Sequence, residues 1–325
     1  MINHTLKNRC RVNAGTVIEG KWHKQKYTII KELGYGANGT VYLAQYLNKQ
    51  VALKMSHNGI SITSEVNVLK SFEKVHGYAL GPSLIDVDDW ITRSGIISFY
   101  VMEYIKGMDL LSFIKQKGHS WTGVLIIQLL KDLDILHQNG WVFGDLKPDN
   151  LIITSQPTRI RCIDVGGTTM KGRTIKEFTE FFDRGYWGLG MRRADPGYDL
   201  FAVAMILINL AYPNRFEKKE GGIIQLTKMI RQINELQQYE KVLLSALQGR
   251  YGTAKEMRSE LLELMGQDSA NRQSRNQSSK QSPKQNHPSL SRQNRRKMKK
   301  KGGVIETLFI CFIVFMFYVL YLLLQ

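Results

Sequence analysis

Four polar side chains stand close together in the middle of the chain. WVFGDLKPDNLII (141–153) holds Asp145, Lys147 and Asn150, and RCIDVGG places Asp164 fourteen residues after Asn150. Two acids, an amine and an amide in this order can take a proton, reach a phosphate oxygen and hold a divalent cation. Phosphoryl transfer asks for such parts, because its barrier falls through positioning and through neutralising oxygen charge. Each residue alone reads as part of a solvated turn. A second group lies upstream. YTIIKELGYGANGTVYLA (27–44) carries Gly34, Gly36 and Gly39, and VALK ends in Lys54. Backbone without Cβ atoms can approach phosphates closely, and an ammonium can hold them. Such a lysine needs a carboxylate partner. Glu65, which begins a helical pattern with Val68, Leu69 and Phe72, is the expected one; Glu73, near the end of that helix, is the alternative.

These groups need a scaffold. In a dinucleotide-binding fold, G-x-G-x-x-G opens a helix. Here VYLAQYL follows, which favours a second strand and therefore a glycine-tipped hairpin. VALK is the next strand. SFYVMEYIKGMDLLSFI reads as a buried strand, a short connector and a helix, and Trp121–Leu136 is an apolar helix leading into 141–153.

Taken in order, these motifs resemble the eukaryotic-type (Hanks-type) Ser/Thr protein kinases, over residues 27 to about 265. In its whole layout the chain is similar to small tail-anchored kinases of spore-forming bacilli. The resemblance implies an α+β, two-lobed fold with a β-rich N-lobe and a helical C-lobe. It implies ATP and Mg2+ (or Mn2+), and protein substrates with Ser or Thr. By the same carry-over Asp145 is the catalytic base and Lys147 reaches the γ-phosphate. Asn150 and Asp164 are the metal ligands. Gly34, Gly36, Gly39, Val41, Lys54 and Glu65 serve the nucleotide. Met102 is the gatekeeper, and Glu103 to Ile105 offer backbone groups to adenine. Asp199 in YDLFAVAMIL matches a buried aspartate that steadies the catalytic loop.

The pattern is broken in places. Phe143 and Gly144 replace the family's His-Arg pair, D-V-G replaces D-F-G, and no A-P-E triplet appears; GYWGLGMRR stands roughly there. In the family that arginine pairs with a phosphorylated loop, so Gly144 points to different regulation. Phe143 is expected to stack with Val165 and Leu69. Arg250 resembles the arginine that pairs with the missing Glu, and its partner stays open. Thr168, Thr169, Thr174 and Thr179 are candidate autophosphorylation sites. Two other readings stay open: a pseudokinase scaffold, and a small-molecule phosphotransferase, since aminoglycoside and choline kinases share G-D-x-x-x-x-N.

The chain has 325 residues, 43% of them hydrophobic, and a net charge of +17. Residues 267–302 hold eleven Lys/Arg against Asp268 alone, so about +10 sits there. Rich in Gln, Ser, Asn, Lys and Arg and without aromatics, that stretch reads as disordered. Residues 304–324 are apolar from Leu308 onward and long enough to cross a bilayer. The cluster Arg295–Lys301 would stay cytoplasmic. The expected plan is an N-terminal extension (1–26), a kinase domain (27–265), a basic linker (266–303) and a C-terminal transmembrane helix (304–324). Such a protein sits in the cell membrane with its kinase domain cytoplasmic. Three readings of the linker compete: topology alone, contact with anionic lipid, and non-specific DNA binding through Arg272 to Lys301. A polyanion could line up dimers for autophosphorylation in trans. Three dispersed cysteines, Cys10, Cys162 and Cys311, lack metal-ligand spacing and read as reduced thiols.

Overall fold

A computed structural model describes residues 10–36, 39–73, 80–93, 95–219 and 221–278. Among them, no helix is long and apolar enough to cross a membrane. The expected span, 304–324, and residues 279–303 of the basic linker lie outside the described residues.

Six antiparallel strands form the first lobe: β1 (Val17–Glu19), β2 (Lys26–Gly36), β3 (Gly39–Tyr46), β4 (Lys49–Ser56), β5 (Leu84–Thr92) and β6 (Gly95–Glu103), in the order β1-β2-β3-β4-β6-β5. Alternating residues turn inward to one core, including Ile18, Tyr27, Ile29, Tyr42, Leu53 and Phe99. The sheet nearly closes on itself. Lys21 N donates to Asp89 O, and the buried Asp88 carboxylate accepts from Trp22 N and His23 N at 2.9 and 2.7 Å. Residues 10–26 therefore pack onto the sheet instead of standing apart from it as the expected extension would, while residues 1–9 lie outside the described residues. Ile18 is fully buried, and Tyr42 Oη donates to Cys10 O at 2.8 Å. A three-residue strand is too short to announce itself by periodicity.

Helix α1 (Gly59–Glu73) packs Ile62, Val66, Leu69 and Phe72 beneath this sheet, the stripe its i, i+3, i+4 spacing dictates. Asn58 Oδ1 accepts from Ile60 N and Ser61 N and so starts the helix.

The second lobe is helical. After β7 (Met108–Asp109) come α2 (Leu110–Lys117), capped by Asp109, and α3 (Ser120–Gln138). Short strands follow: β8 (Trp141–Val142), β9 (Leu151–Ile153), β10 (Ile160–Cys162) and β11 (Thr169–Met170). The lobe's axis is α4 (Pro196–Ala211), in which every residue from Tyr198 to Leu210 is buried. Pro196 at its first turn and the Asp195 side chain, accepting from Tyr198 N, fix where it begins. Helices α5 (Gly222–Gln232), α6 (Asn234–Gln237), α7 (Glu240–Leu247) and α8 (Ala254–Ser278) complete the lobe. Helix α8 continues through Ser278, past residue 266 where disorder was expected. Cys10 and Cys162 are free and buried, and burial raises both thiol pKa values.

Candidate active site

The β4 strand carries Lys54 under the sheet, where its side chain is nearly buried. Lys54 Nζ stands 2.7 Å from Glu65 Oε2 on α1 and 3.7 Å from Asp164 Oδ1. Burial alone would lower its pKa, but Asp164, Glu65 and Glu177 together raise it, so the ammonium stays charged. Glu65 is held on both oxygens: Tyr100 Oη donates to Oε2 at 2.7 Å and Ser61 Oγ to Oε1 at 3.2 Å. Tyr100 is fully buried, and burial followed by the Glu65 charge pushes its pKa well up. Glu73 is exposed at the far end of α1, away from the lysine.

The loop 143–150 is tied to the core through Asp199, fully buried in the first turn of α4. Its carboxylate accepts from Phe143 N (2.7 Å) and Gly144 N (2.9 Å) and bonds His137 Nε2 (2.9 Å). Phe143 is buried with Leu69 and Val165 in one apolar cluster. Gly144 has φ +86°, and a Cβ there would stand 2.6 Å from Gly167 O. Asp145 Oδ2 receives Lys147 Nζ at 2.5 Å, and Asp145 Oδ1 accepts from Thr179 Oγ1 at 3.0 Å. Lys147 Nζ also meets that hydroxyl at 3.0 Å. Asn150, in a 3-10 turn begun by Pro148, donates to Asp145 O.

Between the lobes lies a cleft of about 670 Å3. Gly34, Gly36, Gly39 and Val41 line its roof, with Lys54, Asp145, Lys147, Asn150 and Asp164 at the inner end. Ala52, Met102, Ile105 and Ile152 give it an apolar part. Ile105 there has a backbone N–H and C=O that bond no other described residue, free to meet a planar heterocycle. Glu103 N is used by Ser83 O, and its carboxylate by Arg161 at 2.8 Å. Asp164 Oδ2 and Asn150 Oδ1 carry no hydrogen bond among the described residues. Two hard oxygen donors at the phosphate end of such a cleft suit Mg2+ or Mn2+.

Four features escaped the sequence. Tyr100 and Ser61 hold Glu65, yet nothing in their sequence neighbourhoods points to that carboxylate. Glu177 lines the inner cleft. Thr179, read as a loop threonine open to modification, is bonded to Asp145 and Lys147. Thr168 and Thr169 are fully buried, leaving Thr174 the exposed one of the four. Arg250 is exposed and pairs with no carboxylate among the described residues. The loop near the missing A-P-E is held by other pairs, Arg184–Asp195 (2.5 Å) and Arg192–Asp183 (2.7 Å).

The sequence model of the protein kinase domain matches residues 27–283. The chain is 49% identical over 334 aligned positions to the serine/threonine-protein kinase YabT of Bacillus subtilis (strain 168), covering 99% of this chain and 98% of that protein. It is 25% identical to cyclin-dependent kinase G-2 of Oryza sativa subsp. indica (66% of this chain, 32% of that one). It is 30% identical to a probable serine/threonine-protein kinase of Clostridium perfringens (48% and 24%). Of these last two proteins it spans a third or less. The chain therefore belongs to the protein kinase domain family, as an ATP-dependent Ser/Thr protein kinase of the bacterial Hanks type.

Proposed function

We propose that this kinase moves the γ-phosphate of ATP to Ser or Thr hydroxyls of proteins, using Asp145, Lys147, Lys54, Asn150 and Asp164, while tethered to the cell membrane by residues 304–324. One observation carries the catalytic part. Asp145 holds a threonine hydroxyl, that of Thr179, with Lys147 on the same oxygen. A carboxylate that accepts from one alcohol can accept from the acceptor's alcohol and take its proton during transfer. Lys147 then neutralises the moving phosphoryl group. Lys54, held by Glu65, grips the inner phosphates. Gly34, Gly36 and Gly39 let the backbone close over them. Asn150 and Asp164 would hold Mg2+ or Mn2+, which when bound would neutralise phosphate oxygens. Adenine lies between Val41, Ala52 and Met102, with Glu103 to Ile105 as its backbone edge.

The membrane assignment rests on the apolar run 304–324 behind the cations Arg295–Lys301. The cations reach back to Arg272, further than orientation requires. That extent supports a second role, binding a polyanion such as DNA and bringing copies together for phosphorylation in trans. Regulation by an arginine in the catalytic loop is absent from this scheme, because Gly144 stands there. Anionic lipid is the competing partner for the linker.

The test is transfer from radiolabelled ATP to a basic acceptor protein by the full chain in detergent micelles, with and without duplex DNA. Loss of transfer in Asp145→Ala and Lys54→Ala is expected, and DNA should raise the rate of the parent chain. Neutralising Arg295–Lys301 should leave the basal rate and abolish the DNA effect. Equal stimulation of both forms would remove the linker from the scheme. Nucleotide binding without transfer would replace the kinase by a scaffold.

A further inference from the structure

Residues 175–179 pass the inner end of the cleft with alternate side chains turned in. Ile175 is buried, Glu177 and Thr179 are half-buried, and Lys176 and Phe178 are exposed. Both flanks of Glu177 are tied down. Ile175 packs with Val142 and Tyr198, and the Thr179 hydroxyl is bonded to Asp145 and Lys147. Lys176 Nζ turns away, to Ser64 Oγ on α1 (3.1 Å) and Thr168 O (3.3 Å). Glu177 is thereby carried into the cleft wall with Lys54, Asp145, Asn150 and Asp164. Gly166 leaves space between the two acids. The point where a Cβ on it would stand lies 3.3 Å from Asp164 Oδ1, and 3.6 and 3.7 Å from the two Glu177 carboxylate oxygens.

A carboxylate is a costly neighbour for phosphates. At this end of the cleft Glu65, Asp145, Asp164 and Glu177 stand against the ammonium groups of Lys54 and Lys147, so negative charge is in excess. Burial lowers the Lys54 pKa, and Asp164, Glu65 and Glu177 raise it. The Glu177 charge is therefore felt at the amine that grips the inner phosphates. Like charges in a partly enclosed cleft repel more strongly than in water, and Glu177 opposes a bare triphosphate. A divalent cation reverses the sign, since both anions attract it. Hard cations of this kind take carboxylate, amide and phosphate oxygens together. Glu177 adds one such donor to Asp164 and Asn150.

Building on the kinase reading, we infer that Glu177 is a further ligand for the divalent cations that accompany ATP, set across from Asp164, and that it ties nucleotide binding to those cations. In their absence its charge keeps the nucleotide out. In their presence it helps to hold the complex. The residue comes from neither the glycine loop nor the motifs around Asp145 and Asp164; it enters the cleft two positions before Thr179.

The experiment titrates a non-hydrolysable ATP analogue into the full chain in detergent micelles, by calorimetry, in EDTA and across a range of Mn2+. Electron paramagnetic resonance of Mn2+ reads the cation held in the nucleotide complex. Glu177→Gln removes the charge and keeps the shape. It should need roughly tenfold more Mn2+ for half of the gain in nucleotide affinity, the scale of one unit charge at a partly screened site. In EDTA it should bind the analogue more tightly than the parent does. Opposite shifts in the two conditions are the signature, because a merely reshaped cleft weakens both. Glu177→Asp keeps the carboxylate and should retain part of the Mn2+ dependence, which reads the same linkage if the glutamine variant melts early. Parent-like Mn2+ dependence in Glu177→Gln overturns this inference, and so does weaker binding in both conditions at an unchanged melting temperature. A change confined to the KM of the acceptor protein overturns it too, and assigns Glu177 to the acceptor. Each of these leaves the kinase reading standing. A parent chain that binds no analogue in either condition overturns both.

Discussion

Gly144 replaces an arginine, and the backbone gives the reason. Its φ of +86° is a region that side chains rarely occupy, and a Cβ would stand 2.6 Å from Gly167 O. Gly144→Ala should therefore destabilise the chain by about 1–3 kcal/mol, read as a lower melting temperature. Gly144→Arg should abolish transfer rather than install a loop-arginine switch. The Lys54–Glu65 pair makes a second case. Removing one partner of a buried pair costs about 3–5 kcal/mol, because the other charge is stranded. Glu65→Leu should thus lose both activity and stability. Tyr100→Phe should cost only about 1–3 kcal/mol, for one hydrogen bond to a charged group. Thermal melts alongside transfer rates check all four variants. Lys54, Asp145 and Asn150 were legible in the sequence because their spacing is local or tied to a motif. Thr179 was not. Its hydroxyl meets Asp145 across thirty-four residues of separation, and no local pattern encodes such a contact.

The glycine-tipped hairpin divides its glycines by task. A Cβ on Gly34 or Gly36 meets nothing within 4 Å, while one on Gly39, at φ +135°, would stand 2.3 Å from Met55 O. Gly39→Ala should lower stability by about 1–3 kcal/mol. Gly34→Ala should leave the melting temperature alone and weaken nucleotide binding, since its methyl would enter the cleft. Calorimetric titration with an ATP analogue separates the two. Strands β2 to β4 and helices α1 and α3 could be read from period and punctuation. Strand β1 could not, and neither could the continuation of α8. One is too short to show alternation, and the other lies where composition argues for disorder while the chain still follows a helix begun at Ala254.

Across the molecule, three carboxylates fasten distant pieces, and acid should loosen all three. Asp88 closes the N-lobe sheet; burial would raise its pKa, but the backbone N–H groups of His23, Trp22 and Asp89 hold it down. Glu103 joins β6 to β10; burial opposes, but Arg161 and Ser83 N keep it low. Glu260 on α8 is lowered by Lys241 and Tyr251. A carboxylate with a depressed folded pKa contributes stability that is whole above its unfolded value and is lost as pH falls through the folded one. Melting temperature should be level from neutral pH to about 4.5 and fall below that. Asp88→Asn should be less stable than the parent at pH 7, with the gap closing in acid. A gap that persists at pH 3 would mean that Asp88 acts by shape and not by charge.

Asp199 joins the catalytic loop to the helix that the rest of its lobe packs around. The amide protons of Phe143 and Gly144 are bonded to a carboxylate with no exposure of its own, on a helix buried along nearly its whole length. They should exchange with deuterium only when α4 itself comes free, as slowly as the lobe's innermost amides. Two amides beside the reacting groups would then report on opening of the whole lobe, and a nucleotide in the cleft would leave their exchange rate unchanged unless it stabilised the lobe itself.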